Sequence, residues 1–317
     1  MMRVTDRHCR YFLRQIAPEA FLYTEMIPVG ALLHGDPARS LAFSPEEHPV
    51  AAQLGGADPR ELARCARLVE RYGYDEVNLN LGCPSERVRR GTFGACLMAE
   101  PARVADCVRA MRSAVQIPVS VKHRLGLGLV EDYGFVRDFV GRLAEAGVRT
   151  FIVHARNAIL GGLTPKQNRE VPPLRHAEVH RLKADFPHLE IVLNGGLATR
   201  EAIAAHLARV DGVMLGRAAA RDPWLLAPPG ASRAAVVREM HRYAVRMVAR
   251  GCALKHIVRP MLGLYHGHPG ARRWRQMLSD PRRLAQNDPG LLLEALDAVE
   301  AGAGQAARCA EAAGVRV

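Results

Sequence analysis

Cys83 ends the alternating run "EVNLNLG" and is followed at once by Pro84, within the stretch "NLNLGCPSERVRRGTFGACLM" (78–98). Arg87, Arg89 and Arg90 come close behind it. Nearby positive charge favours a thiolate, so a thiol at this strand end is placed for reaction. It can attack as a nucleophile, or give its proton to carbon while a hydride arrives on the opposite face. No Cys–His–Asn protease signature accompanies it, and the acid role stays open. Cys65 and Cys107 lie in helix-like patterns and read as small apolar core residues.

Lys122 and Arg124 are two apart in "PVSVKHRLG", so in a strand their side chains share one side. His154 and Arg156 repeat that spacing in "TFIVHAR", and Gln53 adds a neutral amide near the end of "PVAAQLGG". Lys122, Arg124 and His154 would form a cationic floor beneath an anion or an electron-rich ring. A buried lysine needs a partner, because an unpaired charge is expensive to desolvate. A flavin suits it: its N1–C2=O edge becomes anionic on reduction. Singly, Gln53 and His154 read as satisfied core polar groups; their convergence with the others favours a site. "LNGG" (193–196) and "LGRA" (215–218) close two further runs. Gly195, Gly196 and Gly216 let backbone N–H groups approach a phosphate, Asn194 precedes them, and Arg217 adds a charged donor. The ligand would be a phosphorylated substrate or a cofactor such as FMN.

These residues need elements to position them. Strand-like runs at 21–26, 49–56, 76–83, 118–126, 150–156, 190–196 and 212–218 alternate with helical stretches such as "DPRELARCARLVERYG" and "YGFVRDFVGRLAEAG". That rhythm predicts parallel βαβ units, with strands apolar on both faces. A (β/α)8 TIM barrel gathers chemistry at the C-terminal strand ends and binds phosphate after its last two strands. Seven runs are visible, and "MMRVTDRHCRYFLRQ" reads as a loop and then a helix, so the strand apparently missing is the first. After "RDPWLLAPPGAS" (221–232) the pattern turns wholly helical. The expected organisation is a barrel over 1–228 and a small all-helical domain over 229–317. In that second part Arg238, Arg242, Arg246 and Arg250 recur every four residues, opposite Val237, Met240, Ala244 and Met247.

Charge suggests a partner. The net charge is +12, and 233–283 holds twelve Lys/Arg against Glu239 and Asp280. Such a cluster fits nucleic acid, although any single arginine is as well explained by a solvated face. Seven cysteines without CxxC or zinc-ligand spacing predict reduced thiols in the cytoplasm and no metal. No signal peptide or membrane span is expected, and the chain is expected to act as a monomer.

"DRHCRYFLRQ", "HPVAAQLGG", "YDEVNLNLGCPS", "GACLM", "HARNAILGGLTPKQNREVPPL", "LNGG" and "GVMLGRA" together resemble the tRNA-dihydrouridine synthases, specifically their A subfamily, from residue 1 to about 280. The resemblance implies an FMN-containing barrel followed by a helical tRNA-binding domain. It implies NADPH as reductant and reduction of the C5–C6 double bond of uridines 20 and 20a in the tRNA D-loop. By matching motif, it makes Cys83 the proton donor to C5. It makes Gln53, Lys122, His154, Asn194, Gly195, Gly196, Gly216 and Arg217 the FMN residues, and puts Asn80 and Arg124 near the target base. Lys166 and Arg169 in "TPKQNRE", and Arg272 and Arg275 in "ARRWRQ", match positions that meet tRNA. In one respect this chain departs from the pattern. The family's first strand ends in an Ala-Pro-Met segment at the flavin, and here Met1 stands at the position of that Met. The expectation is that a short apolar strand ending near Ala-Pro precedes Met1 in the native protein and that the 317-residue chain expresses poorly or binds FMN weakly. Two rivals are a flavin barrel acting on a free pyrimidine and a non-catalytic tRNA-binding protein.

Overall fold

The computed structural model describes residues 1–86, 88 and 91–312, with side chains up to residue 302. It divides into two compact units: Met1–Arg3 with Phe21–Gly216, and Val4–Ala20 with Arg217–Val317.

The first unit is built on seven parallel strands: β1 (Leu22–Pro28), β2 (Val50–Gly55), β3 (Glu76–Leu81), β4 (Val119–Arg124), β5 (Thr150–His154), β6 (Glu190–Asn194) and β7 (Gly212–Met214). Each pairs with its successor, in the order β1 to β7. Among the described residues no pairing joins β7 back to β1. The sheet is therefore a TIM-type barrel of seven strands, open on one side, as the strand count predicts. Helices Pro59–Arg71, Pro101–Arg112, Tyr133–Glu145, His176–Asp185 and Arg200–Leu207 carry the crossovers. Their starts are written locally: Asp58, Asp132 and Thr199 each accept a hydrogen bond from a backbone N–H of the first helical turn. Cys65 and Cys107 are buried, as their helix patterns suggest.

The expectation of strands apolar on both faces fails for β3 and β4. Val77, Leu79 and Leu81 alternate with Glu76, Asn78 and Asn80, and all six are buried. In β4, Ser120, Lys122 and Arg124 alternate with Val119, Val121 and His123. The sheet curls enough for Lys122 of β4 to hydrogen-bond Asn194 of β6 across β5. The concave face therefore holds a polar assembly, while the convex face packs against helices.

In the second unit the described elements are all helical, with Arg7–Ile16, Arg233–Ala249, Ala271–Leu278 and Leu291–Ala312 the longest. The division falls at Gly216, upstream of the Pro/Gly/Ser stretch that suggested 228, and it takes the N-terminal helix with it. The cause is side-chain packing. Tyr11 stacks on Tyr243 with ring centroids 3.9 Å apart, and His8 Nδ1 lies 2.8 Å from the Tyr243 hydroxyl. Tyr11, Phe12 and Ile16 enter the same core as Met240, Met261, Trp274 and Leu296. Val237, Met240, Ala244 and Met247 are buried as their spacing predicts. The arginines opposite them are partly engaged: Arg242 pairs with Glu239, Arg246 donates to the Tyr11 hydroxyl at 3.1 Å, and Arg250 lies just past the helix end. No helix among the described residues is long and apolar enough to cross a membrane.

Trp274 is fully buried and donates through Nε1 to Met261 O at 2.8 Å. Trp274→Ala should destabilise the second unit by about 3–5 kcal/mol, through the cavity and the orphaned carbonyl. Urea denaturation followed by far-UV circular dichroism measures this; a loss under about 1 kcal/mol would show that the core closes over the gap.

Candidate active site

The C-terminal strand ends line up in register: Asn80 lies beside Lys122, Arg124 beside His154, His154 beside Asn194, and Asn194 beside Met214. Residues spread over more than a hundred positions of sequence thus meet at one rim. Cys83 follows β3 and is partly exposed. Its backbone is held on both sides: its N–H donates to Asn80 Oδ1 at 3.0 Å, and its carbonyl accepts from Ala95 N at 3.0 Å. The second bond needs Gly94, which has φ 75°; a Cβ there would stand 2.7 Å from Cys83 O. The thiol itself lies 3.5 Å from the Ser85 hydroxyl. Arg87, Arg89 and Arg90, expected to favour its thiolate, lie outside the described residues.

Lys122 is the cationic centre. Its Nζ donates to Asn194 Oδ1 at 2.9 Å, and Asn194 Nδ2 donates to Met214 O at 2.7 Å. Burial, and then Arg124, push the ammonium down from 10.5 to about 7. The partner is a neutral amide, so it leaves the ammonium's charge unbalanced. Beside it, Gly195 has φ 112°, and a Cβ there would stand 2.6 Å from the His154 ring. A Cβ on Gly196 would stand 2.4 Å from Leu174. The loop after β6 is thus a bare-backbone cradle, and His176 Nε2, 2.8 Å from Gly195 O, braces it. A cationic amine, a glycine cradle and a half-buried imidazole fit the polar edge and phosphate of FMN. Gly216 follows β7 with Met1 Sδ 3.1 Å from its Cβ position, and Arg217 opens the next helix, in the second unit.

Gln53 and Asn80 are buried at the same rim and bonded to each other, Asn80 Nδ2 donating to Gln53 Oε1 at 2.7 Å. Arg124 is also buried, and burial lowers its guanidinium to about 10. Two of its nitrogens are committed to carbonyls: Nε to Gly82 at 3.1 Å, and Nη1 to Asn157 at 3.1 Å and Asn168 at 2.9 Å. It ties the Cys83 loop to the loop carrying Lys166 and Arg169. Asn168, which no sequence motif singles out, anchors that loop by bonding both backbone groups of Ile159, at 2.8 and 2.9 Å. Lys166 is exposed and Arg169 half-buried. Arg272 and Arg275 are exposed on Ala271–Leu278, opposite the buried Trp274, Met277 and Leu278. Glu76, Asn78 and Ser120, buried and hydrogen-bonded next to these residues, also escaped sequence reasoning, although the alternation in "EVNLNL" marks the first two.

The dihydrouridine synthase (Dus) family matches residues 1–300. This chain belongs to that family. Its similarity to named members is high. It is 56% identical over 289 residues to the tRNA-dihydrouridine(20/20a) synthase of Pseudomonas aeruginosa, spanning 88% of this chain and 87% of that protein. The enzyme of the same name from Escherichia coli K12 is 50% identical over 310 residues, spanning 94% and 90%. Among solved structures, histamine dehydrogenase from Rhizobium sp. 4-9 superposes with a TM-score of 0.50 at 13% identity, over 70% of this chain and 43% of that one, a likeness of fold alone. Dihydrouridine synthases carry FMN, and the Lys122–Asn194–Gly195 arrangement fits that group.

The Lys122 shift has a pH consequence. Between about 7 and 10.5 the unfolded chain binds a proton that the FMN-free native state does not. Native stability contributed by this group therefore rises with pH across that window. Lys122→Met should flatten the rise, which urea midpoints measured through the window would show. Equal pH slopes in the two proteins would place the ammonium in water.

Proposed function

We propose that this chain reduces the C5–C6 double bond of uridines 20 and 20a in the tRNA D-loop, using NADPH as reductant and FMN as carrier. The observation that carries the reading is Cys83, held at the rim by Asn80 and Ala95 beside the Lys122 and Gly195 cradle. When bound and reduced, FMN supplies a hydride to C6 of the uracil. The chain's own residues do the rest. Lys122, its ammonium oriented by Asn194, would place positive charge beside the anionic edge of the reduced cofactor. Gly195, Gly196 and Gly216 would offer backbone N–H groups to a phosphate, and Arg217, the residue after Gly216, would add charge. Gln53 and His154 would hold the ring through its polar atoms. Asn80 and Arg124 fix the Cys83 loop, so that the thiol reaches the face of the base opposite the hydride. Cys83 gives its proton to C5 and becomes a thiolate, which solvent reprotonates. Lys166 and Arg169 on their loop, and Arg272 and Arg275 on their helix, meet tRNA phosphates. The setting is the cytoplasm, where tRNA and NADPH are found.

Mass spectrometry of D-loop fragments from tRNA incubated with the protein, FMN and NADPH should show a gain of two hydrogens at each target uridine. Reduction of free uracil in place of tRNA would overturn the reading. Cys83→Ala should keep FMN and tRNA binding and lose turnover by about a hundredfold or more, the usual worth of a positioned acid. Wild-type turnover would remove Cys83 from the mechanism.

Arg272→Ala with Arg275→Ala should weaken tRNA binding and make its dependence on salt shallower, by about 0.8 in the log–log slope for each phosphate the protein no longer neutralises. NADPH-driven flavin reduction should not change. An unaltered slope would assign both arginines to the solvated face.

A further inference from the structure

A line of buried polar side chains descends the concave face from the Cys83 loop to the opposite end of β3. At the top, the N–H groups of Gly82 and Cys83 donate to Asn80 Oδ1, at 3.2 and 3.0 Å. Asn80 Nδ2 donates to Gln53 Oε1 at 2.7 Å, and Gln53 Nε2 donates to Asn78 Oδ1 at 2.8 Å. Asn78 Nδ2 donates to Ser120 Oγ at 2.7 Å, and the Ser120 hydroxyl donates to the Glu76 carboxylate. Gln53, Asn78 and Ser120 are register neighbours and form one tier; Asn80 lies above that tier on β3 and Glu76 below it. All five side chains are buried.

Every link runs the same way, and the two ends decide this. A primary amide can face either way, so the three amides alone leave the direction open. Backbone N–H groups at the top can only donate. An ionised carboxylate at the bottom can only accept. Ser120 must therefore give its hydrogen to Glu76 and take one from Asn78, and each amide above follows. Reversal would turn the Asn80 amino group against the N–H groups of Gly82 and Cys83. That would set donor against donor and leave buried groups unsatisfied.

We propose that Glu76 is a positioning residue of the reaction: it sets the direction of this hydrogen-bond line and so fixes both the Cys83 loop and the donors shown at the rim. In that direction each amino group has one N–H committed within the line. Gln53 and Asn80 then offer their second N–H to carbonyl oxygens of a flavin or a uracil, both of which carry such acceptors. The inference rests on the reading that Gln53, Asn80 and Cys83 serve those two rings. Burial pushes the Glu76 carboxyl up to about 7, against the pull of its donors Ser120 and Tyr23, while Glu190 raises it further. A protonated carboxyl keeps a carbonyl oxygen able to accept from Ser120, so the direction can survive titration.

The test compares Glu76→Leu, Ser120→Ala and Glu76→Gln in the holoenzyme. The first removes the terminal acceptor, the second cuts the line by one atom, and the third keeps an accepting oxygen. Two quantities are read: the rate of Cys83 alkylation by N-ethylmaleimide, followed by peptide mass mapping without turnover, and kcat and KM for tRNA. Glu76→Leu and Ser120→Ala should each raise the alkylation rate and lower kcat, both by about tenfold, the worth of one lost hydrogen bond. KM for tRNA should stay within about twofold. Glu76→Gln should remain within about twofold of wild type in both. The double variant Glu76→Leu/Ser120→Ala should be no worse than either single one, because both cut the same line. If Glu76→Leu does not fold, Ser120→Ala and Glu76→Gln still decide. Wild-type alkylation and kcat in folded Ser120→Ala, or a Glu76→Gln as impaired as Glu76→Leu, would overturn the proposal. Alkylation is scored without tRNA or NADPH, so the result stands apart from whether the substrate is tRNA.

Discussion

Buried polar groups must find partners, and the concave face of this sheet carries an unusual load of them. Glu76, Asn78, Asn80, Gln53, Ser120 and Arg124 are all buried there. Each lost partner would cost on the order of 1–3 kcal/mol, so the hydrogen bonds that five of them share and the three carbonyls that Arg124 meets are a condition of folding. The same condition makes the site stiff. A side chain with two or three partners in fixed directions has little freedom, and a thiol whose loop hangs on such side chains is held to one place. Lys122, like Arg124, is a cation whose partner carries no charge. The Asn194 amide satisfies the geometry of the Lys122 ammonium and leaves its charge unbalanced.

The two units divide the work. The first unit supplies the parallel strands whose ends gather the chemistry. The second supplies an aromatic core with an arginine-rich exterior. The N-terminal helix belongs to the second, since Tyr11 finds its stacking partner in Tyr243. The dihydrouridine synthase family match spans both units, over residues 1–300.

Much was legible in the sequence. The seven strands, their parallel order and the place of Cys83 just past a strand end follow from periodicity and from glycine and polar residues at strand ends. What stayed hidden has a common cause. Asn168 is a loop residue whose importance lies in bonding both backbone groups of Ile159, nine positions away. Arg124 shows only its charge in sequence, and its three carbonyl partners come from three different segments. Ser120 looks like any small strand residue until register sets it beside Asn78. The boundary near 228 rested on composition, whereas the structural division follows a core that composition does not reveal.

The sequence by itself determined the local patterns: strand and helix periods, the capping Asp and Thr residues, the glycines where a Cβ would collide, and the family to which they belong. These are short-range properties, set by backbone sterics and by neighbours a few positions away. The tertiary structure alone decided which polar atoms meet. Whether Glu76 is a surface carboxylate or the acceptor at the foot of a buried line depends on β2, β3 and β4 pairing in one register, and a shift of one residue would turn its side chain to the other face. Hydrogen bonds are directional and reach about 3 Å. Their pattern therefore exists only once distant strands are brought side by side.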